Sequence, residues 1–231
     1  INDFKVVMEI MQALLDPSFH GSSMSDYRTL TWSFGGLSAT PALEDIRART
    51  IKLSIKLIAL LKDDKLKIEV VKTLSQAMYP PSQGNYSKEL EELVLKNTDE
   101  ILTYYLQIIG TTSGLITQEI EEQVNRLVRR SGDQKSKALQ ELEKKLASDT
   151  EYDLFRVFVG YDYKLSKDGD WRAGQEERKK KIQEYVDSVS EDNYQEWLDK
   201  IKNVANNYED VDPSKFQYFF EFLTKLGKEK P

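Results

Sequence analysis

Apolar residues recur at three- and four-residue steps along almost the whole chain, which is the signature of amphipathic helices. Phe4, Val7, Met8, Met11, Leu14 and Leu15 predict a first helix over Asn2–Leu15, stopped by Asp16-Pro17. Thr40-Pro41 offers an N-cap followed by proline at the first helical position, so a second helix is expected over about 42–61. Its apolar residues fall on two adjacent stripes, Leu43, Ile46, Leu53, Leu57 and Leu60 beside Ile51, Ile55 and Ile58, which predicts burial between neighbours. Lys62-Asp63-Asp64 then turns the chain into a third helix over about 65–78, and so short a turn forces the pair to lie antiparallel.

Beyond Pro80-Pro81, Ser87 caps a long segment carrying Leu90, Leu93, Val94, Ile101, Leu102 and Tyr105, with a break expected at Asn97-Thr98-Asp99. Further helices are expected from Ile116 to about Arg130 and from Lys135 to Ala147. Glu151–Val159, with Asp149 as cap, is short and rich in β-branched and aromatic residues, so it suits a helix or a buried strand. Helix is preferred because no partner strand is visible elsewhere. Ile182, Tyr185, Val186 and Val189 mark the next helix. Ser190 is expected to cap the one after it, whose stripe is Tyr194, Trp197, Leu198, Ile201 and Val204. Asp212-Pro213 is expected to start a last helix with Phe216, Phe219, Phe220 and Leu223, closed by Lys225 and Gly227.

The pattern lapses twice. Ser18–Ala39 is small and polar, yet it holds Phe19, Tyr27, Leu30, Trp32, Phe34 and Leu37, and it is expected to be an irregular loop with aromatics packed over helix ends. The second lapse lies inside Tyr152–Leu198. There an aromatic segment ends on Gly160 and an acidic, tyrosine-bearing turn runs from Tyr161 to Asp170 before Trp171.

Nine or ten helices spaced in pairs of about 40 residues predict an all-α chain, an irregular HEAT-like α-solenoid of antiparallel helix pairs. An irregular closed helical bundle is the alternative. Residues 1–231 are read as one helical-repeat domain, with a subdivision into 1–130 and 131–231, and as part of a larger soluble protein.

Composition narrows the chemistry. With no cysteine, disulfides, thiolate nucleophiles and cysteine metal sites are excluded, which agrees with a cytoplasmic setting. The single histidine, His20, cannot assemble a zinc set. No run of residues is apolar enough over the ~20 positions that a membrane span requires. The 33 basic and 39 acidic residues give a net charge of −6, so the chain as a whole is no polyanion binder. Neither a phosphate-binding loop nor a dinucleotide fingerprint occurs, and no cofactor is expected. Asp168-Gly169-Asp170 suggests a calcium loop. With Gly169 at the sixth position, Lys164 stands first, Ser166 third and Gln175 where a bidentate glutamate belongs, so the match fails. Basic residues gather at Arg126, Arg129, Arg130, Lys135 and Lys137 and again at Arg178–Lys181. Arg126, Arg129, Arg130, Lys179 and Lys180 are the candidate phosphate contacts. Glu176 and Glu177, set against Lys180 and Lys181 at i, i+4, favour a solvated helix surface instead. Phe216, Tyr218, Phe219, Phe220 and Phe222 cover more than one helical face and are expected to pack on a following helix beyond this chain.

Leu154-Phe155-Arg156-Val157-Phe158-Val159-Gly160-Tyr161-Asp162, followed by Trp171, Arg178, the helix IQEYVDSVS and Trp197, resembles the C-terminal helical-repeat region of large bacterial STAND-type P-loop NTPases, some of which act in antiphage defence. WSFGGLSATPALEDIRARTIKL, from Trp32 on, is similar to the same region. The resemblance implies a nucleotide-binding module elsewhere in the protein, with this region sensing or binding a partner; it transfers no site residue. The expected function is therefore a non-enzymatic interaction or sensor module that meets a protein partner or its own neighbouring domains. Trp32, Phe34, Tyr161, Tyr163 and Trp171 are the candidate partner surface. A nucleic-acid-contacting helical domain using the basic faces is the alternative.

Overall fold

The computed structural model describes residues 2–16, 20–25, 28–33, 39–79, 86–131, 135–166, 169–208 and 216–230. The body of the chain is all-α. Its described helices are α1 Asn2–Leu15, α2 Pro41–Leu60, α3 Asp64–Ser75, α4 Lys88–Ile108, α5 Gly114–Ser131, α6 Lys137–Ser148, α7 Thr150–Phe158, α8 Trp171–Ser188, α9 Tyr194–Tyr208 and α10 Gln217–Glu229. Short 3-10 turns occupy Gln76–Met78 and Asp162–Lys164. No described helix is long and apolar enough to cross a membrane. The chain divides into two compact units, Ile1–Leu146 and Ala147–Pro231. This boundary falls within the last turn of α6, whereas the subdivision expected from the sequence precedes that helix.

In the first unit the stretch expected to be an irregular loop contains an antiparallel hairpin. Strand β1, His20–Ser25, pairs with β2, Arg28–Ser33, in a register running from His20↔Ser33 to Ser25↔Arg28. The glycine- and serine-rich HGSSMS of β1 has neither β-branched residues nor alternation, so nothing in it announces a strand. Trp32 lies on β2; Phe34 lies outside the described residues, as do residues 17–19 and 35–38.

Thr40 caps α2, its hydroxyl accepting from the Leu43 amide at 3.2 Å, with Pro41 as first helical residue. Asp63 caps α3 and Ser87 caps α4 in the same way. Helices α1, α2 and α3 pack on one another, α3 also on α5, and α2 on α4. Their shared interior is fully buried aliphatic surface: Leu15, Ile51, Val70, Leu74, Leu90, Ile101, Ile116 and Ile120.

Within that interior lies the completely buried guanidinium of Arg47, on the second turn of α2. It donates to the carbonyls of Leu15 and Ala77, the latter at 3.0 Å. With its amide oxygen turned to the guanidinium, Asn97 accepts from Nη2 and Nε at 3.1 and 2.9 Å. Burial lowers the Arg47 pKa to about 10, opposed by the charge of Asp16. Asn97 is thus a buried ligand of an arginine rather than a helix cap, and α4 runs unbroken through the interruption expected there. It ends before Gly110, whose φ of +88° is the left-handed conformation that glycine adopts without strain.

The second unit is built on aromatic contacts. Phe158 at the end of α7 lies 4.9 Å from Phe222 and 5.5 Å from Phe219 on α10, and 5.7 Å from Tyr185 on α8. Trp197 of α9 joins the cluster at 5.5 Å from Tyr185 and 5.7 Å from Phe222. Such pairs add about 0.5–1.5 kcal/mol each beyond their buried area. The phenylalanines of α10, expected to await a helix outside the chain, find partners here: Phe216, Phe219 and Phe222 are buried and only Phe220 faces outward. Helix α7 settles the helix-or-strand ambiguity, with the Asp149 carboxylate accepting from the Tyr152 amide at 3.0 Å. Helix α9 starts at Tyr194, later than Ser190, whose amide instead donates to the Asn193 side chain at 2.8 Å. The expected start of the last helix at Asp212-Pro213 lies outside the described residues. Gly227 falls inside α10 rather than closing it.

Candidate functional site

Where α7 ends, its last carbonyls have no partner within the helix, and burial makes unpaired carbonyls expensive. Arg178 supplies the missing donors. It sits on the second turn of α8 with no exposed surface. It donates through Nη1 to the carbonyls of Arg156 (2.9 Å) and Val157, and through Nη2 to that of Gly160 (2.9 Å). Its Nε donates to Asp162 Oδ1 at 2.7 Å. The planar fork, with five donors spread over three nitrogens, reaches three carbonyls and a carboxylate at once, more acceptors than the three donors of an ammonium can serve. Tyr218 of α10 completes the arrangement: its ring lies 4.2 Å from the guanidinium carbon, and its hydroxyl donates to Asp162 Oδ2 at 2.9 Å. Burial, then Asp162, raises the Tyr218 pKa, so the hydroxyl keeps its proton.

The described residues of the connection from Tyr161 to Asp170 are tied down at both of its ends. The Leu165 amide donates to the Asp162 carbonyl at 2.9 Å, and the Asp170 amide to Ser166 Oγ at 3.1 Å. Asp170 in turn caps α8, accepting from the Arg172 amide at 2.7 Å. Gly174 lets the turn lie against the helix: a Cβ there would fall 1.9 Å from the Asp162 carbonyl oxygen. The outward side of this anchored turn is aromatic. Tyr161 and Tyr163, 45% and 43% exposed, stack with ring centroids 5.6 Å apart. Trp171, 55% exposed, opens α8 with the Arg172 guanidinium 5.5 Å from its ring. The structure thus places three of the five candidate partner residues, Tyr161, Tyr163 and Trp171, on one turn and the helix it leads into. Trp32 belongs to the other unit.

A separate polar cleft of about 270 Å³ in the second unit is lined by Asp149, Thr150, Asp153, Lys181, Tyr185, Trp197 and Lys200. Asp153 accepts from Lys181 at 2.7 Å and from the Tyr185 hydroxyl at 2.6 Å. Burial would raise the Asp153 pKa, but these two bonds outweigh it and hold the carboxyl below its ordinary value. Burial and the neighbouring carboxylate push Tyr185 far above its ordinary range. These charges satisfy one another, and Lys200 is matched by Glu196 at 2.5 Å.

The candidate phosphate contacts are dispersed among acids and rings. Arg126 lies 4.0 Å from Glu122, and Arg130 lies over the Tyr79 ring at 4.7 Å; Arg129 is exposed at the end of α5. In α8, Lys179 pairs with Glu176 at 2.9 Å and Lys180 with Glu184 at 3.6 Å, while Lys181 turns to Asp153. The expected pairing of Glu176 and Glu177 with Lys180 and Lys181 is therefore shifted along the helix. Arg178, counted in that basic cluster from sequence, is interior. The signal for it was present: Arg178, Ile182, Val186 and Val189 share one stripe at i, i+4, i+8 and i+11, so the arginine occupies a core position.

The first unit also carries a half-buried acid, Glu119, hydrogen-bonded to Gln123 at 2.6 Å in the vicinity of Glu122, Lys72 and Arg126. The fully buried Tyr105 hydroxyl, in the same region, has no hydrogen-bond partner among the described residues. Burial raises the Glu119 pKa above the ordinary 4.5. A carboxyl raised on folding stabilises the fold below its unfolded pKa, and that contribution is lost as pH rises through the folded value. Glu119→Gln is therefore expected to raise the melting temperature at pH 8, with the gain fading as pH falls toward 4.5. Parallel melts of both proteins across that range check it; a gain that grows on acidification contradicts the assignment.

Compared with protein-family models, with curated proteins and with solved structures, the chain matches none.

Proposed function

We propose that the chain is a non-enzymatic interaction or sensor module of a larger bacterial cytosolic protein, its helix pairs forming an irregular HEAT-like array. A protein partner, or another domain of the same protein, meets it at Tyr161, Tyr163 and Trp171. The observation that carries this reading is the contrast between the two sides of one turn. Inside, a buried arginine and a tyrosine from another helix fix the backbone. Outside, large aromatics stand in solvent, the residue types enriched at the centres of protein interfaces. A connection needed only to join α7 to α8 has no use for either. The resemblance of this same stretch to the helical-repeat region of STAND-type NTPases supplies the setting: the regulatory part of such an enzyme, in defence.

A photo-crosslinking phenylalanine analogue at position 163 of the full-length protein, activated in the producing cell, tests the proposal. The expected result is a discrete protein adduct that Tyr161→Ala removes. A pattern matching that of the same analogue at exposed Lys52 in α2 refutes it. An adduct destroyed by nuclease replaces it with the nucleic-acid reading, for which stacked aromatics are also a platform.

A further inference from the structure

We infer that Tyr218 is a positioning residue for the aromatic turn, acting through Asp162 to make the presentation of Tyr161 and Tyr163 conditional on the seating of α10. The inference rests on the reading of that turn as the interaction surface. The anchorage has two tiers, and different helices supply them. The base of the turn, the carbonyls of Arg156, Val157 and Gly160, is held by Arg178 from α8. The tip is held through Asp162, whose two oxygens are divided between helices: Oδ1 takes Arg178 Nε and Oδ2 takes the Tyr218 hydroxyl. Asp162 stands between the two stacked tyrosines, so the orientation of its side chain fixes the backbone from which both rings project.

Helix α10 is seated by Phe219 and Phe222 against Phe158 and by Phe222 against Trp197. Tyr218 couples that seating to the tip. If α10 moves, Asp162 Oδ2 loses its donor and the Arg178 guanidinium loses the ring that faces it. A ligand or a neighbouring domain that shifts α10 thereby alters the surface.

The test uses the full chain with Tyr218→Phe, which keeps the ring under Arg178 and removes only the hydroxyl. Losing a hydrogen bond to a carboxylate is expected to speed exchange of the Leu165 amide, which bonds to the Asp162 carbonyl, about tenfold. The fluorine resonance of fluorotyrosine at position 163 should shift toward its position in Tyr161→Ala, where the stack is gone. Exchange at Ile182 and Val186 in α8 should not change. Adding Tyr218→Phe to Asp162→Ala should produce no further effect, because the two act along one path. Unchanged Leu165 exchange and fluorine shift overturn the inference. So does a uniform rise across α8 and α10, which would mark a merely structural role. None of these readouts needs a partner: if they move as expected while the crosslink at position 163 fails, the positioning role stands and the interaction reading falls.

Discussion

Arg178→Met is expected to destabilise the second unit by about 3–5 kcal/mol, the range found when one member of a buried charged network is removed. Methionine fills much of the same volume, so the loss comes from polarity rather than from a cavity. The carbonyls of Arg156, Val157 and Gly160 lose their shared donor, and the Asp162 carboxylate loses its cation. Arg178→Lys separates charge from geometry. It keeps the cation, but a single ammonium cannot reach three carbonyls and a carboxylate together, so it should recover less than half of the loss. Urea unfolding with an unchanged m-value measures both variants. Near-native midpoints for Arg178→Met would show that the carbonyls find other donors and that the anchorage described here is dispensable.

Gly174→Ala is expected to destabilise by about 2 kcal/mol or more, against the usual direction for its type. A glycine in a helix interior is replaced by alanine with a gain of about 0.5–1 kcal/mol, from reduced freedom of the unfolded chain and better propensity. Here the added Cβ meets the Asp162 carbonyl oxygen at 1.9 Å and its carbon at 2.5 Å. Both obstacles are backbone, which cannot rotate away as a side-chain end can. The overpacking term of about 1–3 kcal/mol, enlarged by so deep an overlap, therefore exceeds the propensity gain. The sign of the change is the measurement that matters: thermal melts showing stabilisation would mean that the turn does not lie on α8 as described.

Helices were the legible part of this chain because their evidence is local. Thr40-Pro41, Ser87 and Asp149 act as caps in the structure as their side chains and positions imply. The three- and four-residue apolar steps select the buried faces of α4 and α5, whereas Val7 and Leu14 of α1 and Ile46, Leu53 and Leu60 of α2, named in the expected stripes, are exposed. What failed depends on contacts between segments distant in sequence. Asn97 has the look of a helix start, and only Arg47, far away on α2, makes it a mid-helix ligand. The β1–β2 hairpin hides behind a glycine- and serine-rich strand. The surplus of phenylalanine in α10 suggested an absent neighbour because Phe158 and Trp197 could not be placed beside it from sequence.

The candidate site divides in the same way. Tyr161, Tyr163 and Trp171 stand out in the sequence because aromatics interrupt a polar turn. Arg178 was concealed by company: beside Lys179, Lys180 and Lys181 it reads as one more surface cation. Its register with Ile182 and Val186 was the countervailing signal, and Arg47 repeats it in register with Ile51, Ser54 and Ile58. A lone arginine continuing an apolar helical stripe, with a long connection just before its helix, is a pattern that sequence can supply.

The anchored turn also bears on how any partner would be met. A free ten-residue connection would lose roughly 1–2 kcal/mol of conformational freedom for every residue ordered on association, a penalty large enough to erase a modest interface. In this chain folding has already fixed the part that carries the tyrosines, through Arg178, Asp162 and the close approach at Gly174. Contact with the tyrosines can therefore be brief and still selective, because recognition requires little of the backbone that is not already in place.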